Sequence, residues 1–138
     1  MLYDISHAVR ELNPDIIWQC PVNREGIVGH AFLAEPYSGT TYDDIDWYNV
    51  PDSITIPSRE DVEAKLTELN ANEAMRLLRA ERDRLLTETD WWASTDLTIT
   101  QAQRDYRQAL RDLPSSSTPS VGEDGELLMS SVTWPTKP

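Results

Sequence analysis

The sequence predicts an α+β fold: a small N-terminal helix plus short antiparallel strands, followed by a helical hairpin and an extended C-terminal tail. Apolar residues recur at helical spacing in three places, short apolar runs bounded by turn residues fill the stretch before residue 57, and Pro and Ser accumulate after residue 113. Charge divides at the same places. Residues 1–57 carry nine acidic against two basic residues, residues 58–113 twelve against nine, and residues 114–138 three against one. The expected organisation is a small α+β module at 1–57, a helical hairpin at 58–113 and an extended Pro/Ser-rich tail at 114–138.

Leu2, Ile5, Val9 and Leu12 are spaced by three, four and three residues, which places them on one face of a short helix that Asn13-Pro14 stops. Ile16, Trp18 and Cys20 then alternate with Ile17 and Gln19 as in a brief strand closed by Pro21. A turn over Asn23 to Gly26 leads to a second apolar run at Ile27 to Leu33, and a third centres on Ile45, Trp47 and Val50. Connections this short favour an antiparallel meander, because a parallel crossover needs a dozen or more residues.

The strongest helix start lies at Ser58, an N-cap residue followed by Glu60 and Asp61, which place negative charge at the positive end of the helix. Val62, Leu66 and Leu69 continue at helical spacing, and Met75, Leu78, Leu85 and Leu86 resume it beyond Asn70-Ala71-Asn72, so the stretch is either one continuous helix, the preferred reading, or two helices meeting near Asn72. A second helix is expected from about Gln101 to Asp112, with Tyr106, Ala109, Leu110 and Leu113 on its apolar face and Pro114 as terminator. Trp91 and Trp92 in the intervening loop are expected to fill the groove between the helices. In the tail, Leu127-Leu128-Met129 and Val132-Thr133-Trp134-Pro135 are apolar islands too small to fold alone, so they are expected to dock on something.

The 138 residues carry a net charge of −12 and one cysteine. One cysteine excludes an internal disulfide framework and a multi-cysteine metal site. The negative charge would repel a phosphate backbone, so nucleic acid is not an expected partner. No apolar run reaches the ~18 residues of a bilayer span, and no leader peptide is legible, so no membrane partner is expected.

No catalytic, cofactor-binding or metal-ligating set emerges. His7 and His30 are isolated, and Cys20 has no basic neighbour to lower the pKa of its thiol. Asp43, Asp44 and Asp46 lack the glycine and distal glutamate of a calcium loop and read as a solvated acidic turn. Five tryptophans against one phenylalanine are the more informative signal. A domain this small would struggle to hide all five, and Trp, Tyr and Arg concentrate the energy of protein–protein contacts. The expected partner-binding residues are Trp91, Trp92, Tyr106, Arg107, Arg111 and Trp134, with Trp134 in its Pro-flanked tail as the favoured anchor.

The ordered set Met75 to Leu86, Thr89-Asp90-Trp91, Tyr106 to Pro114 and Val132 to Pro135 resembles the bacteriophage tail assembly chaperone family over residues 75–138. The pattern of elements before residue 61 is similar to that of the XkdW-type phage tail-associated proteins. The resemblance implies a non-enzymatic phage tail or tail-fibre assembly chaperone that binds other phage tail or fibre proteins in the host cytoplasm during assembly, needs no cofactor and is compatible with a homo-oligomer. The alternative it leaves open is a minor structural protein retained in the virion tail, fibre or baseplate.

Overall fold

The computed structural model describes residues 3–18, 31–33, 41–48 and 50–138. The expectations for Cys20, His30 and the turn at Asn23 to Gly26 lie outside the described residues. The described chain is predominantly helical: α1 (Ile5–Leu12), β1 (Ala31–Leu33), β2 (Ile45–Trp47), α2 (Arg59–Glu88) and α3 (Gln101–Ser116), with single 3-10 turns at Tyr42–Asp44, Asp90–Ala93 and Met129–Ser131. It divides into two compact units, Tyr3–Asn70 and Ala71–Pro138. The reason lies in α2, whose apolar side chains serve two separate cores. Leu66 and Leu69 pack with Val62 in the first, and Met75, Leu85 and Leu86 pack around Leu78 in the second.

In the first unit, Asp4 caps α1 by accepting from the backbone N–H groups of Ser6 and His7. Ile5, Ala8 and Val9 face the core with Ile16, Ala31, Ile45 and Val62, while Leu12 at the end of the helix is exposed. Strands β1 and β2 run antiparallel for three residues, pairing Ala31 with Trp47 and Leu33 with Ile45. The α+β expectation therefore holds only loosely, and the meander needs correction. Residues 14–16 form a turn closed by Asn13, whose side-chain oxygen accepts from the Asp15 N–H at 3.1 Å. Past this turn, the pairing seen among the described residues is a single bridge from Trp18 to Ala31, and it runs parallel.

The expected acidic turn is committed to structure. Asp44 closes a capping box with Thr41, accepting from the Thr41 N–H at 2.8 Å. Asp43 pairs with Arg59, whose guanidinium holds the carboxyl below its usual range. Among the described residues no group of His, Cys, Asp and Glu is arranged to hold a metal ion.

The continuous α2, which starts in the first unit and ends in the second, follows the preferred expectation, as does its start, where Ser58 Oγ accepts from the Asp61 N–H at 3.1 Å. Helix α3 starts with a capping box between Thr100 and Gln103. Pro114 does not terminate α3, which runs on to Ser116. So near the C-terminus, the amide that Pro lacks removes one hydrogen bond without displacing a following turn, and Ser115 Oγ donates to the Asp112 carbonyl at 2.8 Å. The tail is not a free extended segment either. Val132 is buried in the core formed by Leu78, Trp92, Tyr106, Leu110 and Leu113, and Leu127 and Trp134 pack against that core.

Candidate functional site

The tryptophan pair sits on the 3-10 turn Asp90–Ala93 that comes after α2. A 3-10 helix has three residues per turn, so neighbouring side chains diverge by ~120° and two adjacent rings cannot both enter one groove. Trp92 turns inward and is 5% exposed, with its ring centroid 6.0 Å from that of Tyr106, whereas Trp91 is 61% exposed. The expectation that both fill the interhelical groove is thus corrected for Trp91.

Arg107 leaves α3 towards the same turn. Its Nη1 donates to the Leu86 carbonyl at 2.8 Å and to Thr89 Oγ1 at 2.7 Å, and its Nη2 to Asp90 at 2.8 Å. Its side chain is 12% exposed. Arg107 therefore works inside the module, as Tyr106 does. Arg111, one helical turn further on, is exposed, and among the described residues no carboxylate pairs with it.

Trp134 is half-buried against its own core instead of free in solution, and its indole Nε1 is buried without a protein acceptor among the described residues. Beyond it, Lys137 Nζ lies 2.5 Å from Glu88 Oε1 and 5.7 Å from the Trp92 ring centroid. The Lys137 ammonium draws the Glu88 carboxyl below its usual pKa range. The island that the sequence marks as a partner anchor is anchored at home.

Trp91 and Arg111 are the two of the six expected residues that remain well exposed. Beside Arg111 lies a depression of about 500 Å3, lined also by Ala93 and Ile99 and by Arg104 and Gln108 of α3. Sequence reasoning passed over Arg104. The available signal was its spacing, since 104 and 111 are seven residues, or about two turns, apart and share a helix face. Exposed Leu97 lies on the connection between Trp91 and Ile99. One carboxylate, Asp105, lines the depression together with Arg104, Arg107 and Arg111, so its polar edge is mainly guanidinium with one acid and the amides of Gln101 and Gln108.

Among the described residues no helix is long and apolar enough to cross a membrane. No curated protein and no solved structure matches the chain. A family match exists for the second half only, and nothing found supports the expected likeness of the first half to XkdW-type proteins. The part of the chain holding Trp91, α3 and the docked tail, residues 75–138, matches the model of the phage tail assembly chaperone protein family.

Proposed function

We propose that the chain is a non-enzymatic phage tail assembly chaperone that binds other tail or tail-fibre proteins through the surface around Trp91, Arg104 and Arg111. The family match supports a role in tail assembly. The binding surface rests on one observation: a tryptophan 61% exposed, on a turn that Arg107 ties through Asp90 and, just before it, through Thr89 and Leu86. A large aromatic ring presented on an ordered turn loses little conformational freedom on binding, and Trp with Arg is the pairing that dominates interface energetics. Acting during assembly places the protein in the host cytoplasm.

The test is complementation of a gene deletion in phage-producing cells. Trp91→Ala combined with Arg111→Glu should lower the yield of assembled tails by about tenfold or more while the purified variant melts like the parent. Unchanged tail yield would overturn the assignment of this surface. Mass spectrometry of purified particles separates the two modes of action: absence from particles fits a chaperone, and stoichiometric presence fits a retained virion component.

A further inference from the structure

A second groove in the 71–138 unit shares no lining residue with the depression beside Arg111. One wall is a face of α2 carrying Leu77, Ala80, Glu81 and Arg84, and the other is the C-terminal segment with Glu126, Leu127 and Met129. Its volume is about 460 Å3, and a neighbouring hollow at Gly122 to Leu128 shares Glu126 and Leu127 with it. Leu128 and Met129 are 46% and 48% exposed, so adjacent large apolar side chains stand open to water beside the groove.

The C-terminal wall is held in shape by its own backbone. Gly125, at φ 80°, closes a turn in which its N–H donates to the Gly122 carbonyl at 3.0 Å and the Gly122 N–H donates to the Glu126 carbonyl at 2.8 Å. Val121 and Leu127 form an antiparallel bridge, and Ser131 Oγ ties Ser120 to Leu128 at 3.0 and 2.6 Å. This order matters because a rigid wall presents its apolar side chains without an ordering cost at the moment of binding.

The rim is mostly acidic. Glu123, Asp124 and Glu126 line the hollow, Glu81 lines the groove, and the single cation, Arg84, is already held by Glu81 at 2.7 Å and by Glu88 at 3.2 Å. An apolar floor inside an acidic rim selects against an acidic occupant and for an apolar segment flanked by Lys or Arg. A second copy of this chain fits poorly, since each copy carries a net charge of −12. Methionine, unbranched and polarisable, suits a surface that must accommodate an incoming apolar side chain.

We infer that this groove docks a basic, apolar-cored segment of a different polypeptide, a second contact chemically opposite to the Trp91 and arginine surface. The inference rests on the protein-binding reading above and adds the chemistry of a partner.

Isothermal titration with a synthetic leucine–lysine amphipathic peptide, and with a leucine–glutamate peptide of the same pattern, tests it directly. The lysine peptide should bind and the glutamate peptide should not. Met129→Asp, at an exposed position, should weaken the lysine peptide by about tenfold, as should Glu123→Lys combined with Glu126→Lys. Equal binding of both peptides, or unchanged affinity in Met129→Asp and likewise in Leu128→Asp, overturns the inference. So does self-association in sedimentation velocity that Met129→Asp abolishes, because a second copy then fills the groove. Photo-crosslinkers at 129 and at 91 in tail-assembling cells separate this claim from the function it rests on. A tail protein crosslinked through a Lys- or Arg-flanked apolar segment at 129 supports the groove. Crosslinks at 91 alone overturn the groove and leave the function standing, and crosslinks at neither position overturn both.

Discussion

Arg107 donates a 2.7 Å hydrogen bond to Oγ1 of Thr89, a fully buried residue just beyond the last turn of α2. The same hydroxyl lies 3.3 and 3.1 Å from the carbonyls of Leu85 and Leu86, to which it donates, and Arg107 also donates to Leu86. One guanidinium from α3 thus ends α2, serving carbonyl groups that a helix terminus leaves without partners. Arg107→Ala should lower stability by about 2–3 kcal/mol, because a charged donor to buried acceptors is lost. Arg107→Lys should rescue only part of this, since an ammonium lacks the planar fork that reaches Leu86, Thr89 and Asp90 together. Arg111→Ala, at an exposed position, should stay within about 0.5 kcal/mol of the parent. Urea unfolding monitored by circular dichroism measures all three.

The adjacent tryptophans make a matched pair for the same assay. Trp92→Ala removes a buried ring from the core shared with Tyr106 and Leu110, and should cost about 3–5 kcal/mol. Trp91→Ala should cost less than about 1 kcal/mol. A large loss at Trp91 would place that ring in the core and remove the support for its role as a binding anchor.

The contrast between these neighbours shows what was legible in the sequence. The start of α2 was readable because Ser58 and Asp61 act locally, and so was the start of α3 near Gln101, whereas the run of α2 through Asn70-Ala71-Asn72 was open between one helix and two. Which of two identical adjacent residues turns inward depends on the phase of a 3-10 turn, and a Trp-Trp dipeptide carries no information about phase. Pro114 marked a stop by its missing amide, yet in the final turn that amide has little left to do. Val132 and Trp134 were recognisable as apolar, but their packing with Leu78 and Leu110 is long-range, and nothing beside them in sequence points inward. Of the residues that composition singled out as contacts, Trp91 and Arg111 stand exposed. Trp92, Tyr106 and Arg107 instead pack or bond within the unit, because the same residue types that make good interfaces also make good interiors.

The docked tail leads to a third expectation. Sequence alone suggests that a chain cut after Pro114 keeps a folded domain, but such a cut removes Val132, Leu127 and Trp134 from the core they help to form. Truncation after Pro114 should therefore broaden or abolish the cooperative melt of residues 71–138. Trp134→Ala should cost about 2 kcal/mol, in keeping with a half-buried ring. Trp134→Phe should cost less than about 1 kcal/mol, since it keeps much of the aromatic packing and removes an indole N–H that has no protein acceptor among the described residues. If Trp134→Ala melts like the parent while losing partner binding, the ring is a contact residue after all.

Acid should loosen the same unit through Glu73. Both of its carboxylate oxygens accept from Arg76 at 2.8 Å, and this pairing is the chief cause of a pKa lowered to about 2. A carboxyl whose pKa is depressed in the folded state contributes stability that is complete above its unfolded value, about 4.3, and is lost as pH falls through the folded value. Glu81 and Glu88 are lowered in the same direction by Arg84 and Lys137, so their contributions add with the same sign. The urea midpoint should therefore fall as pH is taken from about 5 to about 2, and Glu73→Gln should flatten that fall by removing one titrating group. Arg76 is largely exposed, so added salt should shrink the difference between Glu73→Gln and the parent near neutral pH. A midpoint for Glu73→Gln that tracks the parent across the whole acid range would show that this pair carries none of the pH dependence.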